Sequence, residues 1–350
     1  MKNFYKNKKI LITGHTGFKG AWLSLILLSM GAKVSGISLK PNDLRGNLYK
    51  ILKLKKSMPS YYVDLRNSSK LNITIKKINP DIIFHLAAQP FVLKSYEYPL
   101  DTISSNILGL SNLLDACRKQ NNLGAILNIT TDKCYENLEK NVPFLESDRL
   151  GGKDIYSASK ACSEILTKSY YQSFMRDLDV NIATARAGNI IGGGDFGENR
   201  IVPDLIEAVQ RNAILNVRSP ESIRPWQHVL DVLNGYMLLM QKTYENNGKF
   251  ESFNFAPNVR QVITVKDVVS RLSHELDFKK VKYKKIKSDK ESITLRLNPN
   301  KSKKILGWKC KYSIKECIKI TANWYRSYLG NEDMKTCSEK QINDFFTNSL

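Results

Sequence analysis

Long hydrophobic runs are missing from this chain. No stretch approaches the roughly 20 apolar residues that span a bilayer. Ile10-Leu11-Ile12, behind the basic N-terminal nonapeptide, is too short for the core of a secretion signal, so a cytoplasmic address with no membrane partner is expected. Metal-binding patterns are missing as well. The six cysteines (117, 134, 162, 310, 317 and 337) form no Cys-x-x-Cys pair, and the four histidines (15, 85, 228 and 274) are scattered. Reduced thiols and no metal site are expected, with Cys134 and Cys162 read as small buried fillers. Acidic side chains are scarce: 33 Asp and Glu face 54 Lys and Arg, a net charge of +21. Residues 279–319 alone hold 15 basic and three acidic side chains, a balance of +12. That stretch lacks the interleaved aromatics on which bases stack, and its lysines mix with apolar positions such as Val281, Ile286 and Trp308. A solvated face is expected rather than a nucleic-acid surface, although its field would draw in an anionic ligand.

What is present is alternation. At 350 residues and 42% hydrophobic, the chain can bury a full core in about two domains. Strands are predicted at 9–13, 33–39, 61–63, 81–86, 125–130 and 180–187, separated by helices at 21–30, 69–78, 102–119 and 156–175. Strand and helix in turn over some 190 residues predict an α/β fold, a doubly wound parallel sheet of Rossmann type. Beyond residue 190 the alternation breaks, and a smaller, discontinuous C-terminal substrate lobe is expected from 191–230 and 258–330. Residues 231–257 are expected to return to the sheet as a helix and a strand, and 331–350 to form a loosely held polar tail.

Gly14, Gly17 and Gly20 form G-x-x-G-x-x-G between the first strand and its helix. Such glycines let the backbone approach a pyrophosphate, and the helix N-terminus offers free N–H groups to it. The acid that commonly ends the second strand and holds an adenosine ribose is replaced by Ser38, with Lys40 two residues on. Ser38 suits a ribose hydroxyl and Lys40 a 2′-phosphate, so the residues leave NAD and NADP open. Asp64 is placed either to hold an adenine amino group or to cap the following helix.

Two proton-transfer pairs follow. Tyr156 and Lys160 lie one helical turn apart, the spacing at which a lysine favours the phenolate that removes a proton from a sugar hydroxyl. Thr131-Asp132-Lys133 ends the preceding strand and adds an acid and a base that hydride transfer alone does not need. Together they point to oxidation followed by elimination. The competing reading of Asp132-Lys133 is a surface ion pair.

The glycine motif, Asp64-Leu65-Arg66, His85-Leu86-Ala87-Ala88-Gln89, Thr130-Thr131-Asp132 and Tyr156-x-x-x-Lys160 together resemble the extended short-chain dehydrogenase/reductase superfamily. Within it, Gly14 to Gly20, Thr130 to Asn137, Arg186 to Asp195 and Arg224 to Val229 are similar to the nucleotide-sugar 4,6-dehydratases. Lys133, where thymidine-diphosphate-glucose members carry Glu, points to the branch acting on CDP-glucose. The resemblance covers about residues 8–330. It implies NAD retained through the cycle, dehydration of CDP-glucose in deoxysugar biosynthesis for surface polysaccharide, and a homodimer formed through a four-helix bundle. It implies that Gly14, His15, Thr16, Gly17, Phe18, Gly20, Ser38, Asp64, Leu65, Leu86, Ala87, Ala88, Gln89 and Asn106 bind the cofactor together with Tyr156 and Lys160. Thr131, Asp132, Lys133, Tyr156 and Lys160 would be catalytic, and Gln89, Asn189, Arg200, Arg224 and His228 would bind substrate. A nucleotide-sugar 4-epimerase, or a 4,6-dehydratase for another nucleotide sugar, would use the same scaffold.

Overall fold

The computed structural model describes residues 1–41, 45–138, 142–245, 249–257, 263–284 and 295–347. Its centre is a seven-stranded parallel sheet: β1 (Lys9–Thr13), β2 (Lys33–Ser38), β3 (Ser60–Tyr62), β4 (Ile82–His85), β5 (Ala125–Ile129), β6 (Asn181–Ala187) and β7 (Glu251–Phe255), in the order β7-β6-β5-β4-β1-β2-β3. Alternate side chains of the inner strands enter two separate cores. Ile10, Ile12, Phe84 and Leu127 face one, and Leu11, Ile83 and Ile126 the other. Burial on both faces explains why these strands read as continuous apolar runs.

The connecting helices are α1 (Phe18–Ser29), α2 (Ser68–Ile78), α3 (residues 99–117), α4 (Ile155–Tyr170), α5 (Ile201–Gln210), α6 (Val229–Glu245), α7 (Val265–Glu275), α8 (Ile314–Leu329) and α9 (Met334–Thr347). Helix α1 is buried continuously from Gly20 to Leu27, so it shows no polar face. Asn67 caps α2 by accepting from the Lys70 amide at 3.0 Å, and the helix ends at Asn79 in the left-handed region. Helix α3 contains a π turn at Ser104–Leu108, and α4 runs on into another at Tyr171–Met175. Apolar spacing predicts both helices without announcing either turn.

Helix α6 and strand β7 return to the sheet, β7 pairing in parallel with β6 from Glu251↔Ala183 to Phe255↔Ala187. Short parallel pairs join Ile190–Ile191 to Gln227–His228 and Leu215–Val217 to Val281–Tyr283. Part of the basic stretch, residues 285–294, lies outside the described residues.

Two expectations are corrected: Cys162 is exposed on α4, whereas Cys134 is buried as read, and the tail is not loosely held. Residues 334–347 form α9, with Met334, Ser338, Ile342 and Phe345 buried. Trp324 Nε1 of α8 donates to Ser338 Oγ at 2.9 Å. A sparse stripe at helical spacing, diluted by polar neighbours, is enough to dock the segment. Among the described residues, no helix is long and apolar enough to cross a membrane.

Candidate active site

In a parallel sheet the strands' C-terminal ends share one edge, and sequence order reverses here between β1 and β4. Ligand crevices form at such a switch point. The glycine turn closes over it. Gly14 has φ +77°, and a Cβ there would lie 2.7 Å from the Ala87 amide nitrogen; one on Gly20 would lie 2.2 Å from the Gly14 carbonyl oxygen. The turn therefore rests directly on the Leu86-Ala87 segment. Gly17 caps α1 in extended conformation, with no side-chain cap. First-turn N–H groups are thus left for an anion.

The other predicted cofactor residues are buried or half-buried. Thr16 Oγ1 and Ser38 Oγ share a hydrogen bond at 2.6 Å beside the end of β2. Asp64 does not cap α2, since Asn67 does. Its carboxylate accepts from Arg66 Nε at 3.0 Å and Nη2 at 2.6 Å, and Arg66 holds it below the usual carboxylate range. His15 is fully buried edge-on to Tyr49, and burial lowers its pKa to about 4. Phe18 and Leu86 are half-buried against the larger core, and Leu65 is buried in the smaller one. Ala87 and Ala88 are half-buried beside the turn.

Two side chains expected to meet ligands are occupied within the protein. Asn106 Oδ1 accepts from the Gln89 amide at 2.8 Å, while its Nδ2 donates to the Gln89 carbonyl and to Ser159 Oγ. Gln89 Nε2 donates to Thr102 Oγ1 and the Phe91 carbonyl, and Oε1 accepts from the Phe91 amide at 2.6 Å. Both side chains brace the loop after β4. His228 is also corrected: it is wholly buried, edge-on to Tyr312 and held neutral by burial with its pKa near 3, and Nδ1 accepts from the Leu230 amide. Its ring belongs to the packing between the Gln227–His228 strand and the segment before α8.

The chemistry-bearing residues converge. After β5, Thr131 caps the one-turn helix Asp132–Cys134, accepting from the Lys133 amide at 3.3 Å. Its hydroxyl donates to Asp132 Oδ1 at 3.0 Å and also reaches the Tyr156 phenol. Asp154 caps α4, accepting from the Ser157 amide at 2.9 Å, and this starts the helix immediately before Tyr156. Burial raises the Tyr156 pKa to about 12, with Thr131 and Arg200 acting in the opposite direction. Lys160 Nζ donates to the Ile129 carbonyl at 3.1 Å, and burial lowers its pKa to about 8 despite the Glu164 carboxylate. Arg200 is a cation that favours the phenolate here.

Asp132 is 2% exposed, and burial raises its pKa against the pull of Lys133 and Arg224. Its Oδ2 has no protein partner among the described residues. A Cβ on Gly188 would lie 2.9 Å from that oxygen and 2.2 Å from Pro225 Cγ, which requires a glycine after β6. Lys133, half-buried, stands on the same turn. Arg224 is buried and donates Nη1 to the Ile223 carbonyl. Arg200 pairs with Asp195 at 3.1 Å, its guanidinium 5.1 Å from the Phe91 ring centre. Asn189 is half-buried, and its carbonyl accepts from the Gln227 amide at 3.1 Å.

Lys19 is the residue that motif reading passes over. It sits in the first turn of α1, 5.5 Å from the Tyr236 ring centre. Burial together with the charges of Lys160 and Arg200 lowers its pKa to about 7, opposed by Asp132. The only available signal was a lysine inside a glycine turn whose neighbours are small or apolar. The cleft floor therefore gathers groups able to exchange protons, a phenol, a buried carboxyl and amines, beside a turn suited to an anion.

A family model described as GDP-mannose 4,6 dehydratase matches residues 11–321. The chain belongs to this dehydratase family. It is 37% identical to CDP-glucose 4,6-dehydratase of Salmonella typhimurium, over 99% of this chain and 98% of that protein. It is 26% identical to dTDP-D-glucose 4,6-dehydratase of Dictyostelium discoideum, covering 91% of this chain and 82% of the relative. Among solved structures, dTDP-glucose 4,6-dehydratase of Bacillus anthracis in complex with NAD superposes with TM-score 0.77, at 21% identity over 92% of this chain and 98% of that one. UDP-glucose 4-epimerase of Thermotoga maritima gives 0.79, at 24% identity over 91% and 99%. The two superpositions carry the fold.

The close approach of the turn to Ala87 generates a prediction. Gly14→Ala, strained at positive φ, should weaken dinucleotide binding at least about tenfold by calorimetry. Unchanged affinity would mean that the glycine turn is not the anion cradle.

Proposed function

We propose that the protein dehydrates CDP-glucose to CDP-4-dehydro-6-deoxyglucose, using NAD that it retains and regenerates. The observation that carries this reading is the presence of two proton-transfer sets in one buried cleft. Thr131, Tyr156 and Lys160 serve an oxidation, and Asp132 and Lys133 sit beside them on the turn after β5. The cytidine assignment is supported by the full-length similarity to the Salmonella enzyme. The site fits a dinucleotide: the turn before α1 leaves free amides and no acidic side chain at the pyrophosphate position, Ser38 and Thr16 offer hydroxyls at the ribose end, and Asp64 stands uncommitted to a helix cap.

NAD, when bound, supplies the two-electron acceptor and donor of the cycle. Tyr156 takes the proton of the sugar 4-hydroxyl, which Thr131 orients. Oxidation at C4 acidifies the neighbouring C5–H, and Lys133 removes that proton. Buried Asp132, kept protonated by desolvation, gives its proton to the 6-hydroxyl, which leaves as water. Lys133 then returns a proton to C5 as C6 is reduced. Arg200 and Arg224 are assigned to the substrate diphosphate, whose oxygens suit their planar donors. Asn189, just after β6, is assigned beside the substrate phosphates or the nicotinamide. Such an enzyme would work in the cytoplasm, feeding deoxysugar synthesis for surface polysaccharide.

We further infer a homodimer. Helices α3 and α4 pack side by side and expose Leu100 (78%), Ile165 (55%) and Phe174 (43%). Pairing with a second copy into a four-helix bundle would cover them. Light scattering should give twice the chain mass, falling to one chain in Ile165→Glu; a monomeric wild type would contradict the pairing.

The activity is tested by incubating the protein with CDP-, UDP-, dTDP- and GDP-glucose and weighing the products. Only CDP-glucose should lose one water efficiently. Tyr156→Phe should block the first oxidation, whereas Lys133→Ala should complete it and accumulate reduced cofactor in a single turnover. Arrest of both variants at the same stage would contradict the division of roles.

A further inference from the structure

Tyr156, Lys160 and Glu164 are spaced i, i+4, i+8 and line one face of α4. The first two meet the cleft, while Glu164 turns into the protein with a side chain 1% exposed. One carboxylate oxygen accepts from Thr130 Oγ1, the residue directly before Thr131 and Asp132. The other accepts from Thr184 Oγ1 at 2.7 Å and Arg186 Nη2 at 2.8 Å, both on β6. Arg186 in turn donates to Tyr135 Oη at 2.8 Å and the Glu146 carbonyl at 3.1 Å, and its guanidinium stacks 4.9 Å from the Tyr135 ring centre. Tyr135 follows the Asp132–Cys134 turn, so the network grips that turn from both ends. Resting on the dehydratase reading above, we propose that Glu164 is a positioning residue, a buried clamp that sets the distance between the α4 half of the site (Tyr156, Lys160) and the β5 half (Thr131, Asp132).

Two physical consequences follow. A clamp between two halves governs near-attack geometry, so loosening it lowers turnover more than binding. Its negative charge also favours protonated Lys160. The other groups facing Lys160 are Cys134 after β5, His85 at the end of β4 and Lys19 on α1. Of the carboxylates, Glu164 is the one that holds the lysine's charge.

Thr130→Val and Thr184→Val form a matched test, because each removes one buried hydroxyl from the same carboxylate. Thr130→Val should lower kcat about tenfold and leave KM within roughly threefold, since this bond ties Glu164 of α4 to the residue directly before Thr131. Thr184→Val should leave both within roughly threefold at a comparable melting temperature. A second readout needs no substrate. In ¹³Cε-lysine NMR, with the resonance assigned by Lys160→Arg, Lys160 should titrate near 8 in the wild type and lower in Glu164→Gln. Glu164→Gln strands buried Arg186, so Glu164→Gln/Arg186→Met replaces it if the single variant does not fold. An unaffected Thr130→Val variant, an equal kcat loss in Thr184→Val, or an unmoved Lys160 titration would each overturn the proposal. A wild type that turns over no nucleotide sugar would instead defeat the dehydratase reading, and the NMR titration alone would then decide the clamp.

Discussion

At the cleft floor, desolvation pushes each shifted ionisable group toward its neutral form. Asp132 rises, Lys160 falls to about 8, Lys19 to about 7, and Tyr156 rises to about 12. One environment thereby acts in opposite senses on the two kinds of group, pushing a carboxyl toward holding its proton and the Lys160 and Lys19 amines toward giving theirs up. Exposed versions of the same residues would form ordinary ion pairs with no reserve of exchangeable protons. The dry floor is a product of the fold: β4, β5 and β6 are buried on both faces, and their ends open where α1 and the loop after β4 close the crevice.

The clamp and the glycine turn solve a common problem from opposite sides. Gly14 and Gly20 allow backbone to approach backbone, which brings the start of α1 against Ala87. Glu164 draws α4 and β6 toward the end of β5 with an ion pair that water cannot screen. Lys19 and Arg200 then reach across from α1 and the loop before α5, which gives the crevice its cationic lining. That lining, close to the reacting groups, fits a diphosphate.

Most of the sheet was legible because each inner strand is a short apolar run closed by a turn, and each helix carries a stop such as Gly31 or Asn79-Pro80. The convergence of the candidate catalytic residues was legible for a different reason. Tyr156-x-x-x-Lys160 and Thr131-Asp132-Lys133 are local in sequence, and spacing alone brings their members together. What escaped depends on distant partners. Gln89 and Asn106 carry the residue types of ligand contacts, yet they bond to each other and to the loop they hold. His228 looks like a ligand in its motif and lies behind Tyr312. Lys19 and Glu164 gain meaning only when α1, α4 and β6 are assembled, and α9 was hidden by the polar residues that surround its four buried positions.

The central claim, that the Asp132–Lys133 pair turns an oxidation into an elimination, is tested most directly by converting CDP-glucose in deuterium oxide. The account predicts a product lighter by one water, apart from the label, with solvent deuterium at C5. A product of unchanged composition inverted at C4, or a dehydrated product without deuterium at C5, would contradict it.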